Sequence, residues 1–457
     1  MSSPDNSDQP QRLLGPFGAV ALIVGIVVGA GIFKTPALVA SLTNDVGWTL
    51  VVWVAGALIS VIGALCYAEL CSAYPHAGGD YHFLHRAFGR QVSFLYGWAR
   101  ATVINPGAIA LLAFVFGDYF SQVVPLGAYS SAIWALSIVV LLTLVNVIGI
   151  RASSSIQTSL VVVLVLGLLA VVVAGFSVEA PATEVSLFFS SVPAASQFGL
   201  ALVFVLLTFG GWNEAAYISA ELRGGARSIV RVIVISMVLL TAIYLLVNMS
   251  LLHGLGLQGL SQSTTAASDV LGLAWGSWAQ KALGLFIAIS ALTSINATMV
   301  VGARANYAVG LDWVSLRQLG QWQGTSGSPT RAYVLQAGIS IGLIVLGMSE
   351  ADGFAAMVEF TAPMFWSFLL LVGLALLWLR RTDPLAERPF RVPLYPFTPL
   401  VFCAACGFLA YSSVMYAVSQ NAIHVSFWLL GSGVVALLVL RWRESALEKV
   451  EGQAKRN

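Results

Sequence analysis

The 457-residue chain is 58% hydrophobic and 9% charged, with a mean hydropathy of +0.87. That composition exceeds the apolar content of soluble domains and places the chain among polytopic membrane proteins. A formal charge of +2, with no basic stripe outside short loops, argues against a nucleic-acid partner.

Residues 1–13 read as a polar tail carrying Asp5 and Asp8. The tail lacks the basic flank, short apolar run and cleavage site of a signal peptide, so the first span is expected to be retained. From Leu13 to Ala40 the chain is almost wholly apolar, long enough for the roughly 20 residues a helix needs to cross a bilayer. Val28-Gly29-Ala30-Gly31-Ile32-Phe33 interrupts that run. Each glycine costs about 1 kcal/mol relative to Ala in a helix interior, and backbone groups freed in hydrocarbon cost several kcal/mol more. A break here must therefore line a polar cavity. Its bare N–H groups suit a carboxylate and its bare carbonyls suit an ammonium, which together make a receptor for the backbone of an amino acid. The competing reading is that Gly29, Ala30 and Gly31 are small only to let another helix approach.

About twelve spans follow from the apolar runs, near 14–41, 47–73, 91–120, 131–149, 154–176, 196–221, 229–253, 279–309, 331–349, 353–380, 396–417 and 424–442. If each crosses once, nearly every Arg and Lys falls on one side, with Lys34, Arg100 and Lys281 apart. The positive-inside rule then puts both termini in the cytoplasm of a cell-membrane protein. After the second span, Asp80 to Phe88 reads as a short amphipathic element. Cys66 and Cys71 lie in the second span and Cys403 and Cys406 in the eleventh, where packing explains them. His82 and His85 are the close histidine pair, and nothing nearby completes a metal site. Neither a metal nor a cofactor is expected.

The sixth span carries the second interruption, Thr208-Phe209-Gly210-Gly211-Trp212-Asn213-Glu214. Two broken helices at corresponding places in two halves point to a transport site at the midplane. The expected fold is all-α and integral to the membrane: a tail at 1–13, a five-helix repeat at 14–176, an outer connection at 177–195 and an inverted five-helix repeat at 196–380. A cytoplasmic connection at 381–395, two further spans at 396–442 and a tail at 443–457 complete the chain.

Five stretches stand out together: Gly29-Ala30-Gly31-Ile32-Phe33; Tyr67-Ala68-Glu69-Leu70 with Tyr74-Pro75 and Gly78-Gly79; Phe209-Gly210-Gly211-Trp212-Asn213; Ser290 through Arg304; and Arg388-Pro389-Phe390-Arg391-Val392-Pro393-Leu394-Tyr395-Pro396. On these the chain resembles the amino acid–polyamine–organocation superfamily, most closely its L-type amino acid transporter branch. The resemblance implies a LeuT-like core of ten helices plus two, working by alternating access. It implies that N–H groups around Ala30 and Gly31 hold the carboxylate, that carbonyls near Val27, Leu207 and Gly210 hold the ammonium, that Asn213 adds a side-chain contact, and that Gly29, Ile32 and Phe209 also belong to the substrate site. Leu207 stands where this branch usually has a bulky aromatic gate, and Leu164 where some relatives have a lysine. No cysteine lies near Ser121 to Ser130, where eukaryotic relatives tie a partner glycoprotein, so no obligatory covalent partner subunit is expected.

Ionisable groups at membrane depth are functional suspects. Glu214 either reads a cationic side chain or a proton, or fixes backbone donors. Ser290 and Ser294, with Thr293 and Asn296, either bind a cation or make ordinary interhelical hydrogen bonds. Glu69 is expected to pair with a loop arginine, while Glu359 and Lys34 have no assigned role. An enzyme is disfavoured because no nucleophile, base or metal constellation is present. A channel is disfavoured because no filter motif is present. The favoured function is secondary active transport of neutral amino acids, by sodium-independent exchange or proton-linked uptake. The alternative is a carrier of cationic amino acids or polyamines.

Overall fold

The computed structural model describes residue 20 and residues 27–454, apart from 75, 77–78, 149–153, 180–187, 212–224, 314–315, 322–328, 351 and 421–422. Among the described residues all regular structure is helical. The first helix halts at Val27, and a 3-10 turn, Ala30–Phe33, leads into α1, Thr35–Thr43, with Pro36 in its opening turn. A proline there removes no intrahelical hydrogen bond. Asn44 ends α1 in the left-handed conformation, and Asp45 then caps α2, Val46–Ala73, by accepting from the Trp48 N–H at 3.0 Å.

The connection after α2 contains α3, Asp80–Phe88, an amphipathic helix with Phe83 and Leu84 buried and His85 and Arg86 exposed. The third span comprises α4, Arg90–Ala99, a π turn at Arg100–Ile104 and α5, Asn105–Ser121. Next come α6, Ser130–Ile148; α7, Ser154–Ser177; α8, Ala195–Thr208; and α9, Gly225–Gln262, which bends at Gly256 where φ is +70°. A short helix absent from the sequence reading, α10 at Ala266–Trp275, precedes α11, Ser277–Asp312. The chain continues through α12, Thr330–Gly347, α13, Gly353–Thr382, α14, Phe397–Ser419, and α15, Ile423–Ala454.

Eight described helical stretches are long and apolar enough to cross a membrane, and Leu164–Ser177 and Ala195–Thr208 are shorter apolar helices. The apolar segment expected at 424–442 lies inside α15, whose helix continues well past it. The start of the first span and the second part of the sixth lie outside the described residues.

Helix α5 packs against α6, α11 and α13, α8 packs against α1, α2 and α14, and α14 also covers α13 and α2. Tight approaches use small residues, as membrane helices require. At Gly117 an added Cβ would sit 2.1 Å from the Ser131 carbonyl oxygen, so α5 and α6 meet where nothing larger fits. Leu58, Leu141, Leu166, Val238 and Leu438 point outward from different helices, which suits a lipid-facing perimeter. All four cysteines are buried free thiols.

Candidate functional site

The first break is built from backbone. Gly29 is extended (φ −109°, ψ −176°), so the chain leaves helical geometry after Val27 and re-enters it through the Ala30–Phe33 turn. The leading amides of such a turn lack intrahelical acceptors by geometry, which leaves them for a ligand. The second break begins where α8 stops at Thr208. The Gly210 N–H donates to the Leu207 carbonyl at 3.1 Å, and Gly211 takes φ +103°, a conformation open to glycine.

These two breaks meet. A Cβ built on Gly31 would stand 3.4 Å from Thr208 Oγ1 and 3.7 Å from Thr208 Cα. The Thr208 hydroxyl donates to the Phe204 carbonyl at 3.0 Å, so its 2.6 Å contact with Thr35 Oγ1 has Thr35 as donor. From α9 the Tyr244 hydroxyl reaches the Val27 carbonyl at 3.2 Å and the Thr208 carbonyl at 3.4 Å, one from each broken helix. Phe209 and Trp53 flank the Tyr244 ring at centroid distances of 5.0 and 5.6 Å. On the far side of the turn, the Tyr119 hydroxyl donates to the Phe33 carbonyl at 2.9 Å.

The structure thus brings Val27, Gly29, Ala30, Gly31 and Ile32 close to Leu207, Phe209 and Gly210. Val27, Ile32 and Phe209 are buried, while Gly29, Leu207 and Gly210 are partly exposed. The Val27 and Leu207 carbonyls, assigned to an ammonium above, already accept from Tyr244 and Gly210. A carbonyl oxygen has two lone pairs, so each retains one. Asn213 and Glu214 lie outside the described residues.

Helix α11 packs against the Ala30–Phe33 turn. On it Ser290 is buried, and the Ser294 hydroxyl donates to the Ser290 carbonyl at 3.3 Å. Asn296 accepts from Asn146 Nδ2 at 2.7 Å, an interhelical bond of the kind the sequence reading allowed. Leu164 is buried in the helical run of α7.

Ion pairs lie toward both ends of the bundle. Lys34, directly after the turn, has its ammonium 2.9 Å from Asp118 Oδ2 and 3.1 Å from Asp352 Oδ2. At the opposite end Glu69 is fully buried and accepts from Arg380 Nε at 2.6 Å and from the Val392 N–H at 2.6 Å, with Arg388 Nε at 3.6 Å. The expected pairing of Glu69 with an arginine is present, and it fastens α2 to α13 and to the connection that follows. Asp383 accepts there from Tyr74 at 3.2 Å and from Arg86 at 3.1 Å. Arg100, apart in the charge sorting, donates to the Tyr96 hydroxyl, which donates to Asp80 at 2.8 Å. Glu359 is buried beside the Tyr416 hydroxyl, its hydrogen-bond partner.

One correction concerns the histidines. His82 stacks on His76, with centroids 4.2 Å apart, and the Gly79 N–H donates to the His76 carbonyl at 3.1 Å. Burial, followed by His76 and Arg86, pushes His82 down to about 4. No group of three or more His, Cys, Asp or Glu among the described residues is placed to hold a metal.

Sequence reasoning missed Thr35, Tyr244 and Tyr119 as parts of the site, and named Thr208 only as the first residue of the second interruption. Tyr244 and Tyr119 did leave a signal, since a phenol at membrane depth needs a hydrogen-bond partner. The Lys34 partners left none, because Asp118 and Asp352 are distant in the chain and sit at helix ends where an acid is ordinary.

A family model described as amino acid permease matches residues 14–439. The b(0,+)-type amino acid transporter 1 of Rattus norvegicus is 26% identical over 451 residues, covering 96% of this chain and 90% of the relative. The serine/threonine exchanger of Bacillus subtilis is 24% identical over 426 residues, covering 92% and 95%. The Asc-type amino acid transporter 1 of Mus musculus is 26% identical over 419 residues, covering 87% and 76%.

Proposed function

The chain belongs to the amino acid permease family, and on that premise we propose that it is a sodium-independent carrier exchanging neutral amino acids by alternating access. The observation that carries this reading is the meeting of two broken helices at Gly31 and Thr208, with the Tyr244 hydroxyl between the carbonyls of Val27 and Thr208. The turn amides offer donors to a carboxylate and the neighbouring carbonyls offer acceptors to an ammonium, so the invariant part of any amino acid is recognised by backbone. Ala30 and Gly31, flanked by Gly29 and Ile32, take the carboxylate. Val27, Leu207 and Gly210 take the ammonium, with Asn213 adding a side-chain contact.

Charge balance favours a zwitterion. Lys34, the described cation nearest the break, is matched by Asp118 and Asp352, and the surroundings of Phe209 and Trp53 are apolar. A dibasic substrate would bring an extra charge into that setting, at a cost of several kcal/mol unless a carboxylate met it. Sodium independence is supported by Leu164, whose side chain offers no oxygen.

In this reading, about twelve spans form two inverted five-helix repeats and two further helices, with both termini cytoplasmic. Lys34, Asp118 and Asp352 then lie toward the outer side, and Glu69, Arg380 and Arg388 toward the cytoplasm. The chain works without a covalently attached subunit. A panel of radiolabelled amino acids taken up by proteoliposomes of the purified chain, with and without sodium and a pH gradient, tests this. Neutral amino acids should exchange saturably with sodium absent. Preference for lysine, arginine or putrescine would replace the proposal with the cationic alternative.

A further inference from the structure

Lys34 is 3% exposed, yet its ammonium is anchored to parts of the molecule that do not belong to either broken helix. Asp118 sits near the end of α5, and its other oxygen accepts from the Ser131 hydroxyl of α6 at 2.6 Å. Asp352 caps α13, with Oδ1 accepting from the N–H groups of Phe354 and Ala355 at 2.9 and 3.1 Å while Oδ2 faces Lys34. The Thr264 carbonyl, in the connection before α10, adds a contact at 3.4 Å. Both carboxylates are therefore fixed before the ammonium arrives.

Lys34 itself is continuous with the site. Its backbone N–H donates to the Gly31 carbonyl at 3.0 Å, so the turn and the anchored residue move together. The next residue, Thr35, is bonded to Thr208, which carries any displacement of α1 into α8.

We infer that Lys34 is the positioning residue that sets the Ala30–Phe33 turn against the α5 and α13 frame, and that its release from Asp118 and Asp352 frees the outer parts of both broken helices to open. The inference rests on the carrier reading. A desolvated ammonium between two oriented carboxylates is held firmly, whereas the same groups in water attract weakly. Contact and release are thus two discrete arrangements, as a switching element requires.

The test compares three forms of the full purified chain in lipid nanodiscs: wild type, Lys34→Arg, and the combined Lys34→Met, Asp118→Asn, Asp352→Asn variant, which leaves no buried ion unpaired. Amide hydrogen exchange is read over Ala30–Thr43 and Ala195–Thr208, alongside KM and Vmax for amino acid uptake. The combined variant should exchange about tenfold faster in both segments and little differently elsewhere. Its KM should shift, and Lys34→Arg should stay near wild type. Unchanged exchange in the two segments, or an equal rise in every helix, overturns the inference. Exchange needs no transported substrate, so this arm stands even if uptake finds no amino acid carried.

Discussion

The Tyr244 hydroxyl and the Val27 carbonyl lie 3.2 Å apart although 217 residues separate them in the chain. Val27 is the last helical residue before the break, so its carbonyl has lost its acceptor role in the helix and would be stranded at membrane depth. Tyr244 satisfies it from α9 and reaches the Thr208 carbonyl from the same point. A single hydroxyl proton serves two carbonyls in turn, which keeps both polar and neither saturated.

Tyr244→Phe should keep the fold, since Trp53 and Phe209 still pack on the ring. The lost hydrogen bond is worth about 1 kcal/mol, or roughly a fivefold change in apparent affinity. Uptake kinetics and thermal unfolding on the same preparation check this: KM should move while the unfolding midpoint moves little.

Gly31 should tolerate one methyl better than a branched side chain. The Cβ of Gly31→Ala would make an ordinary contact with Thr208, whereas the further methyls of Gly31→Val would press on Thr208 or on the turn amides. Uptake should weaken in the first and vanish in the second, with both expressed and inserted normally.

The first break and the end of α8 were legible because glycine pairs inside membrane-long apolar runs conflict with the need to satisfy every backbone group there. The structure puts the first at Gly29 and the end of the second helix at Thr208, within the residues read from sequence. The ties between them were not legible. Thr35 and Thr208 look like ordinary helix threonines, and only folding shows that they are bonded. Likewise the charge of Lys34 was visible, but its partners lie 84 residues away in Asp118 and far beyond that in Asp352. Proximity in sequence pairs His82 with His85, whereas in the structure its ring stacks on His76.

Glu69→Gln should lower stability by roughly 3–5 kcal/mol, the usual cost of breaking a buried ion pair on one side. The change leaves Arg380 and Arg388 without their shared carboxylate and loosens the connection held through Val392. Thermal unfolding in detergent measures it, and the exchange of amides near Val392 should rise with it.

His82 should make stability fall in acid. Its folded value lies near 4 against an ordinary 6.5, so the unfolded chain binds the proton more readily. The stabilisation is full above 6.5 and is lost as the pH falls toward 4. His82→Gln should flatten that part of the stability profile, read as unfolding midpoint against pH. An unchanged slope would assign the acid sensitivity to other groups.

In the proposed function, the paired breaks receive the carboxylate and the ammonium of one amino acid. Counterflow in proteoliposomes preloaded with a neutral amino acid tests it most directly, with the external partner supplied as the free amino acid, its carboxamide or its deaminated acid. Saturable exchange of the free amino acid alone is the predicted result. Equal exchange of the analogues, or flux that does not saturate, would contradict it.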